Sequence, residues 1–184
     1  MQKLFLIFSA ALIGAFTTTA GAYTPQDQAT ITITPAKDWT AVPNILSNET
    51  NTLKYEKRVP KMPNATLTKR QETKAAHNDP NILINQMGDI LKKGLTSKGC
   101  EVGLPMLEPQ VSDEFKVWVQ VYQCKQVKLT GLQYYIDADP QLVYLLTYTS
   151  NDYPFTAESR DKAEKEVRSM IQVCYNGKAC TPVQ

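Results

Sequence analysis

Four cysteines, one histidine and a few turn aspartates are the residues of this 184-residue chain with the most distinctive chemistry. Cys100, Cys124, Cys174 and Cys180 offer metal ligation, redox exchange or structural disulfides. No two of them form a C-x-x-C pair, and His77 is the single histidine. Zinc-finger and H-E-x-x-H ligand sets are therefore missing from the sequence. A serine nucleophile would have to recruit His77, and no G-x-S-x-G elbow exists to present it. G-x-G-x-x-G and P-loop patterns are absent too, so nothing in the sequence cradles a phosphate. Asp137, Asp139 and Asp152 are the candidate carboxylates of a two-acid hydrolase, a chemistry that needs no fixed spacing. Each stands in turn-like sequence, where aspartate normally bonds the local backbone. The expectation is a non-enzyme with no catalytic residues, no cofactor and no metal.

The fate of the thiols depends on compartment. The chain opens MQKLFLIFSAALIGAFTTTAGAY. Lys3 is followed by an apolar run from Leu4 to Phe16, then small residues at Ala20 and Ala22. This reads as a secretory signal, residues 1–22, cleaved after Ala22. The run is shorter than the roughly 20 residues that cross a bilayer, and no later run is longer, so no stable membrane anchor is expected after cleavage. Residues 23–184 then suit one domain, exported to the periplasm or secreted, from a bacterial source. In such a chain an even cysteine count reads as two disulfides. The formal net charge of +2 argues against nucleic acid and against general attraction to anionic membrane. Asn48 and Asn64 match the short N-glycosylation pattern, which is read here as chance.

The pairing of the cysteines follows from strand patterning. In KVWVQVYQC, residues 116–124, Val117, Val119 and Val121 share one face, and Trp118, Gln120, Tyr122 and Cys124 the other. CEVGLPML, residues 100–107, is also strand-like, and the intervening segment is rich in turn residues. A hairpin centred on Ser112 sets Cys100 opposite Cys124, Val102 opposite Tyr122 and Met106 opposite Trp118. Directly opposed residues lie within disulfide reach. Pro105 cannot donate to the ladder, which makes its strand an edge or a bulge. Cys174 and Cys180 remain as the second pair, around the turn dipeptide Asn176-Gly177.

The other elements follow from period and punctuation. ATITITP reads as a first strand that ends at Pro35, and TLKYEKRV and ATLTKRQ as two more. NDPNILINQMGDILKKGLTSKG reads as a helix capped by Asn78 or Asp79. Pro80 lies in its first turn, and Leu83, Met87, Ile90, Leu91 and Leu95 form its apolar stripe. LQYYIDA and LVYLLTYTS are strands joined at Asp139-Pro140, the second apolar enough to be central. TAESRDKAEKEVRSMIQVC reads as the last helix, capped by Thr156 or Ser159. It buries Ala163, Val167, Met170, Ile171 and Cys174, and Glu164 and Arg168 pair on its solvent face. The fold class is α+β: a mainly antiparallel sheet flanked by two main helices.

ITITPAKDW, with Pro35 and Trp39, resembles the opening of PsbP/Mog1-like domains. VYLLTYTSNDYPFTAESRDKAEKEVRSMIQ resembles their close, a Tyr/Thr-rich strand, a short loop and an amphipathic helix. The resemblance implies an α/β/α sandwich that acts as a binding or assembly module without catalysis, and it carries over no functional residues. The functional expectation is an exported protein-binding module, monomeric, with a protein partner. Candidate contacts are the basic residues Lys54, Lys57, Arg58 and Lys61, and the aromatics Tyr153 and Phe155 within a cluster that includes Tyr134 and Tyr135. The alternatives are a secreted effector or hydrolase, and a carrier of a small apolar ligand.

Overall fold

Residues 28–42, 53–74, 79–108 and 112–183 are described by a computed structural model. Residues 1–22, read above as a secretory signal, lie outside them, as do His77, Asn78 and Asn48. The strands are β1 (Ala29–Ile33), β2 (Trp39–Val42), β3 (Leu53–Lys57), β4 (Ala65–Thr73), β5 (Cys100–Val102), β6 (Met106–Leu107), β7 (Lys116–Cys124), β8 (Leu129–Asp137), β9 (Leu142–Ser150), β10 (Ile171–Tyr175) and β11 (Thr181–Pro182). The helices are α1 (Pro80–Thr96) and α2 (Ala157–Met170). One antiparallel sheet has the order β2-β3-β4-β9-β8-β7-β5, with β6 also on β7, and a smaller antiparallel sheet has the order β1-β10-β11. The α+β class and the mainly antiparallel sheet flanked by two helices are as expected.

Period-2 patterning assigns the layers. Tyr134 packs with Val117, Val119, Leu132, Ile136 and Leu146 against Val167 and Met170 of α2 and Ile31 of β1. Its neighbour Tyr135 points the other way and packs with Trp118, Val143 and Leu145 against Ile84 of α1. Both faces of β7, β8 and β9 are thereby buried, α1 on one side, α2 and the small sheet on the other. Burying each of these large apolar side chains contributes roughly 1.5–3 kcal/mol.

Several local expectations are corrected. Trp39 opens a strand that the sequence did not reveal, because its ring packs on the main core beside Tyr148 and its indole N–H donates to Glu166. The last helix ends at Met170. Ile171 and Val173 then bury as alternate residues of β10 against β1, and Cys174 belongs to that strand. β-branched residues at alternate positions favour a strand once a partner edge is present. In α1 the buried positions are Ile84 and Gly88, with Leu83, Met87, Leu91 and Leu95 packed partly against the sheet, while Ile90 faces solvent. Arg168 reaches Glu108 at 2.9 Å, and Arg160 takes Glu164 at 3.5 Å.

The helix starts are locally encoded. Asp79 caps α1 by accepting from Asn81 N–H, and Thr156 caps α2 by accepting from Ser159 N–H. Thr156→Ala is expected to lower unfolding free energy by about 1 kcal/mol. Urea unfolding of the two proteins checks this, and an unchanged midpoint would show that the cap carries no weight.

Candidate functional site

The hairpin that carries the first disulfide is the edge of the large sheet. Cys100 lies opposite Cys124 and Val102 opposite Tyr122, and Cys100–Cys124 is a disulfide. Beyond Val102 the register slips by one. Met106 pairs with Val119 and Leu107 with Trp118, in place of the expected Met106–Trp118 pairing. Pro105 causes the slip: it has no N–H for the ladder, so the Gly103–Pro105 segment leaves the sheet as a bulge. The bulge is held in place by Gln120. Its buried carboxamide donates to the Gly88 and Gly103 carbonyls and accepts from the Tyr135 hydroxyl. A Cβ at Gly88 would lie 2.2 Å from Pro105 Cγ, so α1 lies directly on the bulge.

Geometry fixes which backbone groups this edge presents. Gly103 N–H donates to the Val121 carbonyl at 2.9 Å, so the Gly103–Val121 pair is hydrogen-bonded. In an antiparallel ladder the alternate pairs are not, so the N–H and C=O of Cys100 and Val102 point away from β7. No described strand lies beyond β5. The same edge carries Leu104, Met106 and Leu107, exposed by 61, 70 and 53 per cent. Scattered surface apolar residues are ordinary, whereas three within four positions on an unpaired edge are something that proteins normally avoid.

Two clefts lie along α2, one between its start and the β5 edge, the other between its later turns, Glu108 and the Pro182–Val183 end of the chain's small sheet. Near the start of α2, Gly103, Val121, Phe155, Ala157 and Arg160 line a cleft of about 470 Å³. Further along α2, Glu108, Asp161, Glu164, Lys165 and Arg168 line one of about 590 Å³. Partial burial pushes the Glu164 carboxyl above its ordinary pKa. Below this cleft lies Tyr134, its ring 5.9 Å from the Arg168 guanidinium. The Tyr134 hydroxyl is buried and has no hydrogen-bond partner among the described residues. Burial raises its pKa far above that of free tyrosine, with Glu164 adding to the rise and Arg168 opposing it. A buried hydroxyl without a partner is uncommon and marks a place where a polar group would be accepted.

The residues singled out from sequence are dispersed. Lys54 and Arg58 share the Glu56 carboxylate, at 2.8 and 2.9 Å. Lys57 faces α2, where Glu166 accepts from both its ammonium and the Trp39 indole, so it ties β2 and β3 to the helix. Lys61 is exposed in the β3–β4 turn. Tyr153 is half-buried, and Phe155 packs against the main core while its edge lines the smaller cleft. Tyr134 and Tyr135 are core residues on opposite faces. Asp137 is ion-paired with Lys74. Asp139 accepts from the N–H groups of Gln141, Leu142 and Ala29, and Asp152 sits beside Ser150 at the end of β9. Cys174–Cys180 is the second disulfide and closes the β10–β11 hairpin rather than tethering the chain end to a helix. The Pro105 strand was read from the sequence as an edge or a bulge, whereas the exposure of its apolar residues Leu104, Met106 and Leu107 was not.

No protein-family model and no curated protein sequence matches this chain. Among solved structures, its fold is similar to that of LpqN, a protein involved in cell envelope biogenesis of Mycobacterium tuberculosis. The two share 15% sequence identity with a TM-score of 0.51, over 85% of this chain and 86% of that one. At that identity the likeness is one of fold: an α+β domain with antiparallel sheets and two helices.

Proposed function

We propose that this protein is an exported, non-catalytic binding module of the bacterial envelope or secreted fraction, and that it engages a protein partner through the open β5–β6 edge. One observation carries the reading: an unpaired edge with outward backbone groups and three exposed apolar side chains, beside two clefts along α2. Unpaired edges are a hazard that proteins normally blunt, so one left open and apolar suits a docking role. Two disulfides suit an oxidising compartment, in keeping with the leader-like N-terminus. Likeness of fold to an envelope protein favours the same setting.

Photo-cross-linking tests the reading. A benzophenone amino acid replaces Met106 in one variant and Lys61 in another, and each exported, oxidised protein is irradiated in its own envelope fraction. The expected result is one dominant protein adduct from position 106 and little from 61. An adduct from 61 alone would move the site to the basic β3–β4 hairpin. No adduct from either position would overturn the protein-binding reading.

A further inference from the structure

We infer that the β5–β6 edge and the two clefts along α2 bind an extended peptide segment that joins the sheet as an additional antiparallel strand, placing an apolar side chain in the Gly103 notch and a lysine or arginine in the Glu108–Glu164 cleft. The inference rests on the protein-binding reading and specifies the partner's chemistry.

The backbone comes first. Val102 and Cys100 present N–H and C=O groups outward at the spacing a strand requires, and every pairing in this sheet is antiparallel. The side chains come next. On the α2 face of β5 the outermost position beside Val121 is Gly103, which has no side chain, and this leaves a recess walled by Val121 and Phe155. A Cβ at Gly103 would meet nothing nearer than the Val121 carbonyl at 3.5 Å, so the recess is real space. An alternate residue of an added strand points into it, and only an apolar group matches its walls.

Charge sets the other end. Ala157, Arg160, Asp161, Glu164 and Arg168 lie at i, i+3 and i+4 spacings, so one face of α2 lines both clefts in succession. In the larger cleft the carboxylates of Glu108, Asp161 and Glu164 stand beside Lys165 and Arg168; Arg168 pairs with Glu108 at 2.9 Å and also acts on Glu164, which Arg160 reaches at 3.5 Å and which is partly desolvated. A cation entering there meets a partly desolvated carboxylate close to two others. The clefts open near residues 103 and 108, so the basic and apolar residues of the ligand are spaced by roughly four to six positions at about 3.3 Å per residue. Antiparallel pairing puts the basic residue on the N-terminal side.

The probe is a phage-displayed library of random nonapeptides panned on the exported, oxidised protein, followed by synthesis of the enriched sequence. The expected result is enrichment of a lysine or arginine followed by an apolar residue at that spacing. Methylating the peptide amide that faces Val102 weakens binding roughly tenfold or more, as loss of a strand hydrogen bond in a partly desolvated site requires. Gly103→Leu fills the notch and Glu164→Lys repels the cation, and each lowers affinity by about the same factor. Gly103→Leu has room to fold, and Glu164→Lys lies on a helix face, so thermal unfolding separates loss of binding from loss of fold. No enrichment, or enriched peptides indifferent to methylation and to both variants, overturns the inference. If that happens while Met106 still cross-links to an envelope protein, strand addition falls and the protein-binding reading stands. If both fail, the reading falls with it.

Discussion

Replacing Cys100 and Cys124 together with alanine is expected to lower unfolding free energy by about 3.5 kcal/mol, the chain-entropy value for a bridge of this span. The bridge closes a loop with a sequence separation of 24, whereas Cys174–Cys180 spans only 6. The same relation gives about 2.4 kcal/mol for the shorter loop, so the two double variants should rank in that order. For a domain of this size the larger loss corresponds to a fall of about 10 °C in melting temperature. Position reinforces the ranking. β5 is three residues long and Pro105 breaks the strand that follows it, so the bridge supplies what a longer ladder would otherwise hold. Cys100, Cys124 and Tyr122 form a small buried cluster, covered by Leu91 and Leu95 of α1, that alanine would only partly refill. The measurement is equilibrium urea unfolding of both double variants beside the parent. An equal or reversed ranking would show that the edge is held by packing and that the disulfide is incidental. Loss of the edge register should also abolish peptide capture, which links this result to the docking site.

Gly131→Ala is the second large effect, about 3–5 kcal/mol, from overpacking combined with the loss of a buried hydrogen bond. Gly131 lies within β8, where glycine ordinarily weakens a strand. Here it is required by close approach. A Cβ would fall 2.2 Å from Tyr122 Cζ, 2.3 Å from the Tyr122 hydroxyl and 2.6 Å from the Tyr148 carbonyl oxygen. Tyr122 lies across Gly131 to reach Thr149, whose hydroxyl is 2.9 Å from its own. The methyl group therefore evicts the ring and breaks that bond. It also presses on the backbone of β9, which no rotamer change relieves. The Gly131→Ala/Tyr122→Leu double variant should recover part of the loss, because leucine ends short of the clash. A double-mutant cycle reports that coupling. A Gly131→Ala protein as stable as the parent would mean that the ring does not cross the glycine.

Much of the fold was legible because its signals are local. The alternation of KVWVQVYQC predicts a strand with two distinct faces, and each face meets a different layer. Asp79-Pro80 and Thr156 mark helix starts through caps that depend on a few neighbouring residues. Cys100–Cys124 and the Val102–Tyr122 register follow from opposing two alternating segments. The failures share a cause. IQVC continues a helical apolar stripe equally well as it alternates, and only the presence of β1 as a partner makes it β10. Ile84 and Ile90 are the same residue type on one helix, and which is buried depends on where the sheet lies beneath it. Lys57 reads as a surface lysine until α2 brings Glu166 to it across 109 residues of sequence.

For the candidate site the division is sharper. By itself the sequence determined that this is an α+β chain with paired cysteines, a leader-like N-terminus and no recognisable catalytic set, because those properties reside in composition, period and short motifs. Pro105 marked the LPML strand as an edge or a bulge; only the tertiary structure decided that it is both, with a register slip of one residue, and that α2 runs nearby with Glu164 and Arg168 lining a cleft. A surface is defined by what remains uncovered after distant segments have packed. Residues 101–108 and 157–168 are separated by 48 residues of sequence, and their meeting depends on burying both faces of the sheet, which no local pattern encodes.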